Sequence, residues 1–212
     1  MPDGANHVAF AYSADGKDRF MTVYPNLNLL DGTKDFSGDW VNASSWVNDG
    51  TYEGLTVKKR TAQWNGIYKN FIVPKDAFTA PKDGTYTFSA YVKGSGNPTS
   101  VTRYSSKNGV EDTSARKVFS NSFDWMRDST TTTLKAGDTA FVKYEITGEG
   151  TDSILRTAGH KWEEGPIATP WMPSFSEVTA EDYPSHIGTY TDNDSNTQST
   201  SPEKYTWKKI VE

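Results

Sequence analysis

The nine residues TYTFSAYVK, positions 85 to 93, constrain this chain more than any other stretch. Tyr86, Phe88, Ala90 and Val92 fall on one side of an extended backbone, with Thr87, Ser89, Tyr91 and Lys93 on the other. That period of two is the pattern of a strand with one buried face. Apolar residues recurring at the helical period are scarce, whereas further strand-like runs are frequent. They are TVKKR (56–60), GIYKNFIV (66–73), SVTRYSS (100–106), RKVFS (116–120) and TAFVKYEIT (139–147). Between them lie APKDG (80–84), KGSGNP (93–98), KNG (107–109) and KAGD (135–138), all rich in turn-forming residues. With 7 Trp, 11 Tyr and 10 Phe beside 17 Gly, the chain is expected to be all-β, a sandwich or barrel.

The 212 residues suit one domain with appendages, large enough to bury a core without metal or disulfide staples. Cysteine is absent, which excludes a disulfide framework, a thiolate metal site and a thiol nucleophile. A formal net charge of −5 argues against nucleic-acid or anionic-membrane partners, which call for a basic face. No apolar run approaches the roughly 18 residues of a membrane span. The opening MPDGANHVAF has no basic region leading into an apolar one, so no signal peptide is expected there. The ends differ from the middle. Residues 6–25 read as a hairpin around Asp15-Gly16, and 185–210 follow a similar plan, with His186-Ile187-Gly188 answering His7-Val8-Ala9 and Tyr190 answering Tyr12. Three segments are expected: a connector hairpin over 1–25, a central sandwich over 26–173, and a second connector over 174–212. The second boundary lies beside TPWMPS, whose prolines end regular structure.

Motifs for catalysis are missing. The three histidines stand in dissimilar contexts, and neither HExxH, GxSxG nor a Gly-rich phosphate loop occurs. The chain is therefore expected not to be an enzyme, although a two-carboxylate glycosidase draws its acids from distant strands and leaves no local motif. In DNDSNTQSTSPE (192–203), Asp192, Asp194, Asn196 and Glu203 match calcium-loop positions, but Thr197 replaces the glycine of the bend and Pro202 intrudes. A polar turn closed by Asx hydrogen bonds is the expectation for that segment. The aromatic residues remain. Sugars present apolar C–H faces ringed by hydroxyls, so a site for them needs an exposed aromatic plate and a few fixed polar groups. RTAQWNGIYKNF (60–71) gathers Arg60, Gln63, Trp64, Asn65 and Tyr68 around one bend, and TRYSS (102–106) sets Arg103 beside Tyr104. Trp64 is either such a plate or a plug at the end of the core. Trp125 and Trp171, beside apolar and proline neighbours, read as structural; Trp40 and Trp46 could be either.

At these residues the central region resembles the family 4/9- and 22-like carbohydrate-binding modules. The stretches that carry the likeness are NLNLLDGTKDFSGDW (26–40), KKRTAQWNGIYKNF (58–71), DGTYTFSAYVKGSG (83–96), TLKAGDTAFVKYEIT (133–147) and AGHKWEEGPIATPWMPS (158–174). The last is similar to the closing strand of such modules in phage tail proteins. The flanking segments resemble connectors in tail and baseplate proteins of phages of Gram-positive bacteria, including evolved distal tail proteins. The resemblance implies a galactose-binding-like jelly-roll β-sandwich on the virion tail, acting at the outer surface of the host cell. Its implied role is non-catalytic adhesion to host cell-wall polysaccharide, with other tail proteins as partners through the parent polypeptide. A structural spacer without sugar binding is the alternative. The resemblance further implies that Trp64 stacks on sugar with Arg60 beside it, that Tyr104 supplies a second plate, and that His160 completes the groove. No acid precedes Glu163 on the closing strand, which speaks against xylan. Relatives often hold a structural calcium between their first and last strands; no ligand set for one is legible here.

Overall fold

The computed structural model describes residues 4–69, 78–96, 100–120, 122–148 and 152–211. The chain divides into two compact units, one made of Met1–Asn26 with Glu177–Glu212 and the other of Leu27–Ser176. Strands are numbered along the chain.

In the unit built from the termini, β1 (Ala5–Ala11), β14 (His186–Asp192) and β15 (Thr206–Lys209) form an antiparallel sheet in the order β1-β14-β15. The similar plans of the two ends have a physical meaning here. His7 stands opposite Tyr190, Ala9 opposite Gly188 and Ala11 opposite His186, so the like segments are each other's partners across one ladder. The His7 ring stacks on Tyr190 with centroids 4.5 Å apart, and its Nε2 lies 2.9 Å from the Asp192 carboxylate. Gly188 is required because a Cβ there would come within 2.9 Å of the Trp207 indole. The expected Asx turns are present: Asp192 accepts the Asp194 N–H and Asp194 accepts the Asn196 N–H, at 2.9 and 2.8 Å. Glu203 accepts instead from the Ser201 hydroxyl at 2.6 Å.

The central unit is a β-sandwich of jelly-roll type. Its elements are β2 (Trp40–Val41), β3 (Val47–Tyr52), β4 (Leu55–Arg60), β5 (Tyr68–Lys69), β6 (Phe78–Thr79), β7 (Gly84–Ser95) and β8 (Ser100–Lys107). They continue with β9 (Val110–Glu111), β10 (Lys117–Phe119), β11 (Phe123–Leu134), β12 (Thr139–Thr147) and β13 (Ile154–Glu164). One sheet has the order β10-β8-β12-β6, with β9 also on β8, and the other β11-β7-β13-β4-β3; β2 and β5 pair as a short ribbon. Of the strand expected over 66–73, only β5 is extended; Gly66 and Ile67 belong to the bend before it, and 70–73 fall outside the described residues.

Alternating residues from both sheets meet in one core. Tyr86, Phe88, Ala90 and Val92 of β7 face Val101 of β8 and Val142, Tyr144 and Ile146 of β12, with Trp40, Trp46 and Trp162 closing the space. At about 25 cal/mol for each Å² of apolar surface removed from water, this packing is the main force holding the sheets together. The second face of β7 departs from expectation, because Thr87 and Ser89 are buried as well. The chain beyond β13 lies over them: Gly165 N–H donates to the Thr85 carbonyl at 2.8 Å, and the Thr87 hydroxyl donates to the Gly165 carbonyl at 2.7 Å. Trp125 stacks flat on Tyr52 at 4.2 Å, and Trp171 donates from its indole N–H to Thr33 at 3.0 Å. Each is engaged by a neighbour within its own protein.

Candidate functional site

Residues 60–69 form a bend that runs alongside β12. The Trp64 N–H donates to the Ile146 carbonyl at 3.1 Å, and the Gly66 N–H donates to Glu145 Oε2 at 2.9 Å. A Cβ on Gly66 would come 2.7 Å from the Tyr144 carbonyl oxygen, so only glycine lets the bend lie this close. The bend is also tied from outside. Trp46 donates its indole N–H to the Asn65 carbonyl at 2.7 Å, and Asn42 donates to the Gly66 carbonyl at 2.9 Å.

At its apex Trp64 and Asn65 have φ of 63° and 55°, both left-handed. A bulky side chain is rarely found there, since Cβ crowds the following carbonyl at roughly 1–2 kcal/mol. The indole is nevertheless 51% exposed, while Trp40, Trp46 and Trp162 are 7%, 3% and 1% exposed. The core-plug alternative for Trp64 is therefore wrong. Arg60 explains how the apex is held. Its Nε donates to the Trp64 carbonyl at 2.7 Å, Nη2 to the Gln63 carbonyl at 2.8 Å and Nη1 to the Ser45 carbonyl at 3.0 Å. Arg60 is thus corrected from a sugar contact to a brace: its guanidinium is engaged by three backbone carbonyls of its own protein.

The outward face of the β10-β8-β12-β6 sheet continues from this bend. Tyr104 of β8 stands opposite Lys143 of β12, Thr102 opposite Glu145, and Ser106 opposite Phe141. Lys143 Nζ lies 5.8 Å from the ring centroids of both Tyr104 and Tyr68, and the Arg116 guanidinium 5.5 Å from Tyr104. Each distance is within cation–π range. Thr102 and Thr147 share a hydroxyl hydrogen bond of 2.8 Å, and Ser100 reaches Thr147 at 3.0 Å. Thr102, Ser106, Glu145 and Thr147 are only 4–8% exposed. These polar groups are therefore largely buried, the ring of Tyr104 among them is half-buried, and Trp64 lies on the adjoining bend.

Three other sequence-derived candidates are corrected. Tyr68 is 8% exposed and stacked on Phe141, with centroids 4.0 Å apart at 14°, so that ring face is closed to a ligand. Burial, then the nearby Glu145, raises its phenol pKa. Arg103 lies on the opposite face of β8 from Tyr104, turned toward the sandwich. It donates from Nη1 to both Asp128 carboxylate oxygens at 2.9 Å and from Nη2 to the Ala115 carbonyl at 2.9 Å. Asp128, 2% exposed, also accepts the Tyr144 hydroxyl at 2.8 Å, so Arg103 neutralises a core carboxylate. His160 is 1% exposed, ringed by Phe36, Trp40, Phe88 and Tyr144 within 5.4–6.2 Å. The Thr157 hydroxyl donates to the Tyr91 carbonyl and lies 2.8 Å from His160 Nε2, which must then be the donor. Burial, reinforced by Arg127, drives its pKa down to about 3, keeping the imidazole neutral.

Sequence reasoning missed Lys143 and Glu145, which the register brings beside Tyr104. Their signal was present in TAFVKYEIT, where Phe141, Lys143 and Glu145 alternate with the core residues. Among the described residues no group of three or more His, Cys, Asp or Glu side chains gathers to hold a metal. Glu163 of β13 already faces Lys161 Nζ at 3.3 Å and accepts the Thr169 hydroxyl at 2.6 Å. No described helix is long and apolar enough to cross a membrane.

One solved structure is similar to nearly the whole chain. A chain of the tripod (BppUct-A-L) from the baseplate of bacteriophage Tuc2009 is 28% identical, with a TM-score of 0.67, covering 99% of this chain and 80% of that one. This chain is similar, from end to end, to a phage baseplate tripod. The likeness includes the unit built from the termini as well as the sandwich. Looser matches include the CBM22-1 xylan-binding domain of Paenibacillus barcinonensis Xyn10C, at 14% identity and TM-score 0.45, covering 69% of this chain and 99% of that one. Another is TmCBM61 in complex with β-1,4-galactotriose, at 9% identity and TM-score 0.48, covering 66% and 100%. No family model and no curated protein matches the sequence.

Proposed function

We propose that this protein is a non-catalytic carbohydrate-binding domain of a phage tail or baseplate, adhering to host cell-wall polysaccharide at the outer surface of the cell. The observation that carries this reading is the exposed Trp64, its left-handed bend held by two Arg60 hydrogen bonds to the Trp64 and Gln63 carbonyls, with a third anchoring Arg60 to Ser45. Strain of this kind persists only where surrounding structure imposes it, and it gathers at ligand sites. An aromatic plate beside the tyrosine, hydroxyls and ion pairs of the β8–β12 face is the chemistry that a saccharide requires. Similarity over 99% of the chain to a baseplate tripod supports the tail setting and the presence of further tail proteins as partners. Each sugar contact is weak, and the many copies on a tail convert weak sites into firm attachment through effective concentration.

The test is binding of a fluorescent fusion of the whole chain to cells of several Gram-positive strains, compared with its Trp64→Ala variant. Labelling of some strains, lost in the folded variant, is expected. Equal labelling by the variant removes Trp64 from the site, and labelling of no strain favours a spacer. Release of reducing sugar from the bound walls would instead reveal an enzyme.

A further inference from the structure

The charged groups around Tyr104 carry information about the class of sugar. Lys143 Nζ lies 3.6 Å from Glu145 Oε2, and Arg116 is ion-paired with Glu111 through its Nη2. The neighbouring Lys117 is directed at the buried Asp128, 3.4 Å away. Lys143 and Arg116 each carry a carboxylate, so Lys143, Glu145, Arg116 and Glu111 sum to no net charge, while Lys117 shares Asp128 with Arg103. A polyanion would have to compete with both carboxylates while approaching a chain of formal charge −5. Neutral hydroxyls suffer neither penalty.

The Lys143–Glu145 pair is also more than a neutral spot. The Lys143 side chain is 26% exposed and that of Glu145 8%; the ammonium lies near two tyrosine rings with donors and no acceptor. Glu145 commits Oε2 to the Gly66 N–H of the Trp64 bend, while Oε1 takes no donor among the described residues. A donor and an acceptor side by side match two neighbouring hydroxyls of one sugar ring. Stacking on Tyr104 or Trp64 fixes the plane of that ring. The same carboxylate anchors the bend, so it couples the plate to the polar contact.

Resting on the saccharide-binding reading above, we propose that the face selects an uncharged saccharide, gripped through a vicinal diol by Lys143 as donor and Glu145 as acceptor. The test immobilises the whole protein and measures binding of neutral polymers (glucan, galactan, mannan) and of anionic ones (polygalacturonate, poly(glycerol phosphate)). Sodium chloride is set at about 0.1 M and about 1 M, where the screening length falls from about 10 to about 3 Å. A neutral polymer is expected to bind with less than about a twofold change between the two salts. Glu145→Gln keeps an oxygen for Gly66 and hence the bend, and is expected to weaken that polymer about tenfold. Binding of the anionic polymers alone, falling with salt, overturns the neutral class while leaving sugar binding intact. Binding of none of the polymers, by a protein that also labels no cells, overturns both readings. An unchanged or tighter Glu145→Gln variant overturns the role of the pair.

Discussion

Replacing Trp64 by glycine separates function from stability more sharply than any other change in this protein. Truncating a fully buried tryptophan costs about 3–5 kcal/mol. Trp64 is half exposed and belongs to neither buried apolar cluster, so the packing loss is about 1–2 kcal/mol. Glycine adopts φ of 63° freely, returning about 1–2 kcal/mol of left-handed strain. Its greater freedom in the unfolded chain costs about 0.5–1 kcal/mol. These terms nearly cancel, and Arg60 still holds the backbone carbonyls. Trp64→Gly is therefore expected to stay within about 1 kcal/mol of the parent in urea unfolding, a shift of about 2–4 °C in melting at most. It is expected to lose polysaccharide binding in the same preparation. A stability loss beyond about 3 kcal/mol would mean that the indole packs as core, and the plate argument would fail.

Other perturbations probe the supports of the site. Arg60→Ala is expected to weaken polysaccharide binding through loss of the bend it braces, and to cost about 1–2 kcal/mol because the three carbonyls retain water as a partner. Tyr104→Ala should weaken binding by about tenfold with little change in melting, since its ring is half-buried on the outward face. Arg103→Ala should cost about 3 kcal/mol in chemical denaturation without a separate effect on sugar, because the buried Asp128 loses its two-oxygen partner and keeps only Lys117 and the Tyr144 hydroxyl. Acid should unfold the protein partly through His160. The unfolded imidazole takes a proton near pH 6.5 and the folded one only near pH 3. Between those values the unfolded state binds more protons, so stability is lost as pH falls, by up to about 4 kcal/mol. His160→Asn is expected to flatten that part of the urea-midpoint profile; an unchanged slope would remove His160 as its source.

The sandwich was legible because apolar residues recur at every second position of β7 (Tyr86, Phe88, Ala90, Val92) and β12 (Ala140, Val142, Tyr144, Ile146), a period of two that reports a buried face. Strand β11 was not, because FDWMRDSTTTTL offers polar threonines where apolar alternation is sought, and only their β-propensity marks it. Buried Thr87, Ser89, Lys161 and Glu163 went unread for a related reason. A polar residue looks exposed until the segment that covers it is known, here residues beyond Glu164 that return over the sheet. Trp64 stood open in the sequence between plate and core plug, because polar neighbours and a glycine suit the end of a sandwich as well as a site; its 51% exposure decides against the plug. Arg60, Arg103 and His160 were not separable from true sugar contacts, since arginine and histidine serve equally as braces, core counter-charges and ligand donors. Only partners decide: backbone carbonyls for Arg60, Asp128 for Arg103, four aromatic rings for His160. Lys143 and Glu145 became visible through register, which places them across from Tyr104 and Thr102.

Nuclear magnetic resonance of the whole chain offers the most direct view of the site, because each of the 7 tryptophans contributes an indole N–H signal. During titration with solubilised wall polysaccharide from a strain that the protein labels, the signal of Trp64 and the amides of Tyr104, Lys143 and Glu145 should move together. Those of the buried Trp46 and Trp162 should stay in place. Saturable shifts confined to Trp125 and the opposite sheet, with Trp64 unmoved, would contradict the account.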